Sequence, residues 1–103
     1  MRRIFVLGAA LAAAWAGVAA AGPIESACLK SGREGATRAM CGCIQDAADL
    51  VLDARDQRLA ARFLDDPHRA QEVRQSGNRR HEAFWERYKL FGEAVEEFCA
   101  PRS

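Results

Sequence analysis

After its first 21 residues this 103-residue chain has no apolar run long enough to cross a bilayer. That excludes a transport pathway built from its own helices, because each spanning helix needs about 20 mostly apolar residues. The chain also lacks a surplus of one charge, with 15 Lys and Arg against 14 Asp and Glu. Without Arg2 and Arg3 the 15 become 13, so there is no broad positive field of the sort that marks a nucleic-acid binder. Histidine is scarce: His68 and His81 are the only two, and neither stands at zinc-ligand spacing from a cysteine. There is no nucleophile elbow and no metal-histidine motif. No run of alternating β-branched residues reads as a strand, and no repeat, low-complexity tract or linker divides the chain. What remains is one small all-α domain without an enzymatic signature.

Against these absences stands a clear export signal. Arg2 and Arg3 form a positive start, and Ile4 to Ala21 carries no charge. Ala19, Ala20 and Ala21 offer the small residues a signal peptidase requires, which predicts cleavage after Ala21. Removal of residues 1–21 leaves 82 of the 103, a single domain from 22 to 103. The expected location is the periplasm, with membrane contact only through the uncleaved signal segment. The acidic Glu25-Ser26-Ala27-Cys28 context argues against a lipid-modified cysteine, and general secretion is the plainer route.

Four cysteines follow: Cys28, Cys41, Cys43 and Cys99. An even number in a small exported domain points to two structural disulfides. A domain of this size buries only about 60% of the surface its unfolded chain exposes. Two cross-links at about 2–4 kcal/mol each are therefore comparable to its whole net stability. Three pairings exist. Bonding Cys41 to Cys43 would close a very small ring, and on a helix the two side chains diverge by ~200°. Of the other two, Cys28–Cys41 with Cys43–Cys99 is preferred over Cys28–Cys43 with Cys41–Cys99. Cys43 shares a face with Met40, Ala47 and Val51 and should look into the core, while Cys41 should be turned away toward the first helix.

The punctuation predicts four to five helices in a small irregular bundle stapled by two disulfides. Ile24–Lys30 is a short first helix, broken by Ser31-Gly32 and Gly35. Thr37 caps a second helix to about Leu52, and Asp53 caps a third through Leu59, Phe63 and Leu64. Asp66-Pro67 opens a fourth from His68 to about Gln75. Asn78 caps the fifth, Arg79 to Phe98, whose stripe Phe84, Tyr88, Phe91, Val95 and Phe98 recurs every three to four residues.

Three groups of residues bear on chemistry. Cys41-Gly42-Cys43 reads first as two structural half-cystines. A thiol-redox pair, or a soft copper site completed by Met40 with His68 or His81, is the alternative. Asp46, Asp49, Asp53 and Asp56 recur at steps of 3, 4 and 3, which reads as a solvated face interleaved with Arg55, Arg58 and Arg62. A docking edge for a basic partner is the sharper version, although no glycine completes a calcium loop there. His81 and Trp85 lie one turn apart, so His81 should be partly buried against Trp85. No catalytic residue, cofactor or metal ligand is assigned.

From about Ser26 to Cys99 the chain resembles small exported alphaproteobacterial proteins labelled "arginine transporter". The similarity is carried by Met40-Cys41-Gly42-Cys43, Asp56-Gln57-Arg58, Asp66 through Ser76, and His81-Glu82-Ala83-Phe84-Trp85-Glu86-Arg87-Tyr88 continuing to Phe91-Gly92. The resemblance implies at most an exported accessory to a transport system. One domain of 82 residues cannot form the two-lobed cleft that closes around an amino acid. The function expected from all of this is that of a non-enzymatic interaction or accessory protein with an unidentified protein partner.

Overall fold

The computed structural model describes residues 22–100, so the predicted signal segment and the Pro101 helix stop lie outside the described residues. Five helices follow one another: α1 (Pro23–Lys30), α2 (Arg38–Val51), α3 (Ala54–Asp65), α4 (Pro67–Gln75) and α5 (Arg79–Cys99). There is no strand among the described residues. The all-α bundle with two disulfides is therefore the fold of this chain.

Each predicted cap forms. The Thr37 hydroxyl accepts from Met40 N–H at 3.1 Å, and the Asp53 carboxylate accepts from Asp56 N–H at 2.8 Å. Asp66 ends α3 and caps α4, accepting from His68 N–H at 3.2 Å, with Pro67 ideal for the first helical position. Asn78 accepts from Arg80 and His81 N–H at 2.7 and 3.3 Å. Each such bond satisfies a first-turn donor that the helix itself cannot. Between α1 and α2 the chain turns through Gly32 and Gly35, whose φ values of 68° and 90° favour glycine.

The first helix begins one residue earlier than its apolar pattern suggests, at Pro23, and its end is capped from a distance. Gly22 has no side chain to offer, and Gln45 of α2 accepts from Glu25 N–H at 2.9 Å instead. A Cβ on Gly22 would run into the Gln45 side-chain amide. Glycine at this position lets α1 and α2 approach closely enough for that bond.

α2 packs against both α1 and α5, α1 also lies on α3, and α4 bridges α3 to α5. Ile24, Ala47, Ala48 and Leu52 fill the contact made by α1 and α2. Phe63, Val73, Phe84 and Phe91 fill the rest, with Tyr88 and Trp85 packed against them. Phe63 meets Phe84 and Tyr88 edge-on, at centroid distances of 5.9 and 5.3 Å, and Phe84 stacks on Tyr88 at 5.6 Å. These are the geometries the ring quadrupoles favour.

One member of the α5 stripe does not reach the core. Phe98 is 63% exposed, and Cys99 occupies the inward position at 6%. A straight helix turns 3.6 residues per turn, so a stripe read at 3.5 drifts by its end. Four-residue steps from Phe91 through Val95 arrive at Cys99 rather than Phe98.

Candidate functional site

The cysteines form two disulfides, Cys28–Cys41 and Cys43–Cys99, with Cα atoms 5.6 and 5.8 Å apart. No described cysteine is free. The first bond ties α1 to the start of α2, and the second ties α2 to the last residue of α5. The preferred pairing is correct, but the burial that motivated it is reversed. Cys41 is completely buried, whereas Cys43 is half-buried. The first helix covers the side of α2 that carries Cys41, making an interior of what one face of α2 alone presents as its outside.

Cys43 and Cys99 border a shallow depression with Thr37, Met40 and the exposed Phe98. The histidines and cysteines do not converge. Among the described residues no group of three His, Cys, Asp or Glu side chains is placed to hold a metal ion.

The aspartates proposed as one solvated face do different things. Asp46 is exposed, while Asp53 spends its carboxylate on the α3 cap. Asp49 accepts from the Gln45 and Gln57 side-chain amides at 2.9 and 3.0 Å. Gln45 also donates to Gln57 Oε1 at 2.7 Å, and Gln57 donates to the Leu52 carbonyl at 3.1 Å. Two buried glutamines thus serve the start of α1 and the end of α2, which satisfies polar groups that would otherwise be costly to bury.

Asp56 is 5% exposed and is the buried carboxylate of the set. Arg87 of α5 grips it through two bonds, Nε to Oδ2 at 2.6 Å and Nη2 to Oδ1 at 3.0 Å. This two-point geometry is the strong form of an arginine–carboxylate contact. The hydrogen bond to Asp56 and the nearby carboxylate charges hold the Arg87 guanidinium pKa above its ordinary value, against a smaller opposing effect of burial.

The pair lines an open cleft of about 760 Å³ between the first halves of α3 and of α5. Large side chains bridge the two helices, Phe63 to Phe84 and Tyr88 at one level and Asp56 to Arg87 at another, and hold them apart. Leu59, Ala83 and Phe84 give the cleft an apolar lining, and Arg55, Arg58, Arg80 and Arg87 give it positive charge. Asp53 and Asp56 are its acidic residues, and both are already engaged. Among the described residues Arg55, Arg58 and Arg80 form no ion pair.

His81 also lines the cleft and is half-buried, with Nδ1 withdrawn from solvent and without a hydrogen-bond partner.

Comparison of the chain with family models, curated proteins and solved structures finds no match. The Asp56–Arg87 pair and the cleft beside it were not identified from the sequence. Their sequence trace is faint: an acidic residue in the first turn of α3 and an arginine one turn beyond the α5 residue Ala83, separated by 31 positions.

Proposed function

We propose that this chain is a small exported, non-enzymatic interaction protein of the periplasm, and that its four cysteines are structural. The observation that carries the reading is the division of Cys41 and Cys43 between two partners on different helices. Neighbouring thiols that exchange disulfides or hold soft metal need each other or a common ligand. Here each is committed to a separate cross-link, and Cys41 is inaccessible. Two disulfides also suit an oxidising compartment. No described helix is long and apolar enough to cross a membrane.

Exported with a signal ending at Ala21, the protein begins at Gly22 and acts on a partner through its surface. By its resemblance to the "arginine transporter" group, that partner is a component of a transport system. Arginine itself is not the ligand. The buried carboxylate best suited to a guanidinium, Asp56, already holds Arg87. Calorimetry with micromolar arginine should give no saturable heat, and one-to-one binding absent with lysine would restore arginine as the ligand.

Thiol trapping on protein taken directly from the exported compartment tests the structural role. Alkylation before and after mild reduction should add no mass, and the intact mass should start at Gly22. A Cys43 mixed disulfide with another protein, or a readily reduced Cys43–Cys99 bond, would replace this reading with the thiol-exchange one.

A further inference from the structure

We infer that the cleft between α3 and α5 is a binding site for a small organic dianion, either a dicarboxylate or a phosphate ester, with an apolar body. This rests on the reading of the chain as a binding protein and names the ligand chemistry of one site on it. The first support is charge. Arg55 and Arg58 stand on one wall and Arg80 on the other, exposed and without ion pairs among the described residues. Four arginines line the cleft against two carboxylates, Asp53 and Asp56, and Asp56 is paired with Arg87, so the walls keep a positive excess. Guanidinium cannot shed its proton at any physiological pH, so the positive charge is permanent.

The second support is shape. Ala83 and the buried Phe84 stand on the α5 side and Leu59 on the α3 side. A methyl at position 83 leaves the cleft open where a larger side chain would close it. Apolar lining with a few converging charged groups is the usual make-up of a small-molecule site. Arginine forks match the paired oxygens of carboxylate and phosphate alike, so the wall charge selects a dianion and the lining selects its organic body. Arg87, fixed by its two-point contact with Asp56, gives the ligand a preformed edge.

A nitrogen–proton NMR titration of the exported full chain tests the site with four probes. These are phthalate, phenyl phosphate, inorganic phosphate and uncharged benzyl alcohol. Phthalate or phenyl phosphate should saturate with shifts centred on Ala54, Arg58, Arg80 and Ala83, and the tighter of the two identifies the acid group. Inorganic phosphate and benzyl alcohol should each bind about tenfold more weakly or worse, for want of the apolar body or the charge.

The triple variant R55S/R58S/R80S should lose about tenfold or more in affinity, since each lost charge-assisted bond has that order of effect. Its circular dichroism should be unchanged, because these side chains have no fold partners. Ala83→Phe keeps every charge and fills the cleft, and it should weaken binding equally. Non-saturating shifts, equal affinity for inorganic phosphate, or undiminished binding by either variant would overturn the site. A chain without free thiols that binds none of the probes loses the cleft and keeps the interaction reading. Free thiols with intact probe binding would do the reverse.

Discussion

The two ends of the bundle are held together by different means. Where α1, the start of α2 and the end of α5 meet, the buried side chains other than Ile24 are small: Ala27, Cys28, Cys41, Ala47 and Cys99. That end carries both disulfides. Where α3, α4 and the first half of α5 meet, Phe63, Val73 and Phe84 are buried with Tyr88 and Trp85 around them. Arg74 of α4 lies over the Trp85 ring at 6.0 Å, and no cross-link is present. A fully buried phenylalanine contributes about 1.5–3 kcal/mol through surface removed from water, and an alanine contributes far less. The covalent bonds therefore stand where apolar area is scarce. Stability in a chain this short is local, and each end obtains it with the chemistry its side chains allow.

Substitution at each end sharpens the contrast. Phe84→Ala removes the centre of the aromatic end and should cost about 3–5 kcal/mol, read as a shift of the urea midpoint at unchanged slope. The double variant Cys43→Ala/Cys99→Ala opens the long loop, whose ends are 56 residues apart, and should cost about 4 kcal/mol by loop-closure entropy. The same change at Cys28 and Cys41, 13 apart, should cost about 3 kcal/mol. Calorimetric melting of both double variants ranks them. A larger loss from the shorter loop would mean that packing around the buried Cys41 outweighs chain entropy.

Arg87→Met comes next, at about 2 kcal/mol, because it leaves the buried Asp56 carboxylate unpaired. The value falls below the about 3–5 kcal/mol of fully buried pairs because Arg87 is 43% exposed. Asp56→Asn combined with Arg87→Met should recover part of the loss, and denaturant unfolding of the set measures the coupling.

The smallest effect belongs to pH. Burial raises the Tyr88 phenol above its ordinary value. The neutral form is thus favoured in the folded chain. Its contribution is complete below pH about 10 and declines as pH rises through the folded value, because the unfolded phenol ionises first. Tyr88 is the chain's one tyrosine, so phenolate absorbance follows it directly. Tyr88→Phe should flatten the alkaline fall in stability.

Local signals made most of the fold legible. Thr37, Asp53, Asp66 and Asn78 cap where their neighbours say they should, since a cap depends on a few adjacent residues. The disulfide pairing was readable because two cysteines one residue apart on a helix must seek different partners. Its burial was not, because α1 covers a face of α2 that the α2 sequence marks as its outside. Phe98 misled for another reason, since a stripe read at 3.5 residues per turn drifts on a straight helix and leaves Cys99 inward by its end. Asp49, Asp56, Gln45 and Gln57 were opaque. Their polarity suggests solvent, and apart from the local Gln45–Asp49 bond their partners come from the tertiary approach of α1, α2, α3 and Arg87. The cleft inherits that opacity, being made of residues from two helices that touch mainly through large side chains.

The positions of the two disulfides also determine how tension would travel through the molecule. Pulled between Gly22 and Ala100, the chain carries force along α1 to Cys28, across to Cys41, through Gly42 to Cys43, and across again to Cys99. Residues 29–40 and 44–98 lie in closed loops off that route. The aromatic core, the Asp56–Arg87 pair and the α3–α5 cleft are therefore shielded from a load applied at the ends. Single-molecule stretching should show almost no extension of the oxidised protein, and reduction should release nearly the whole fold to the pulling force.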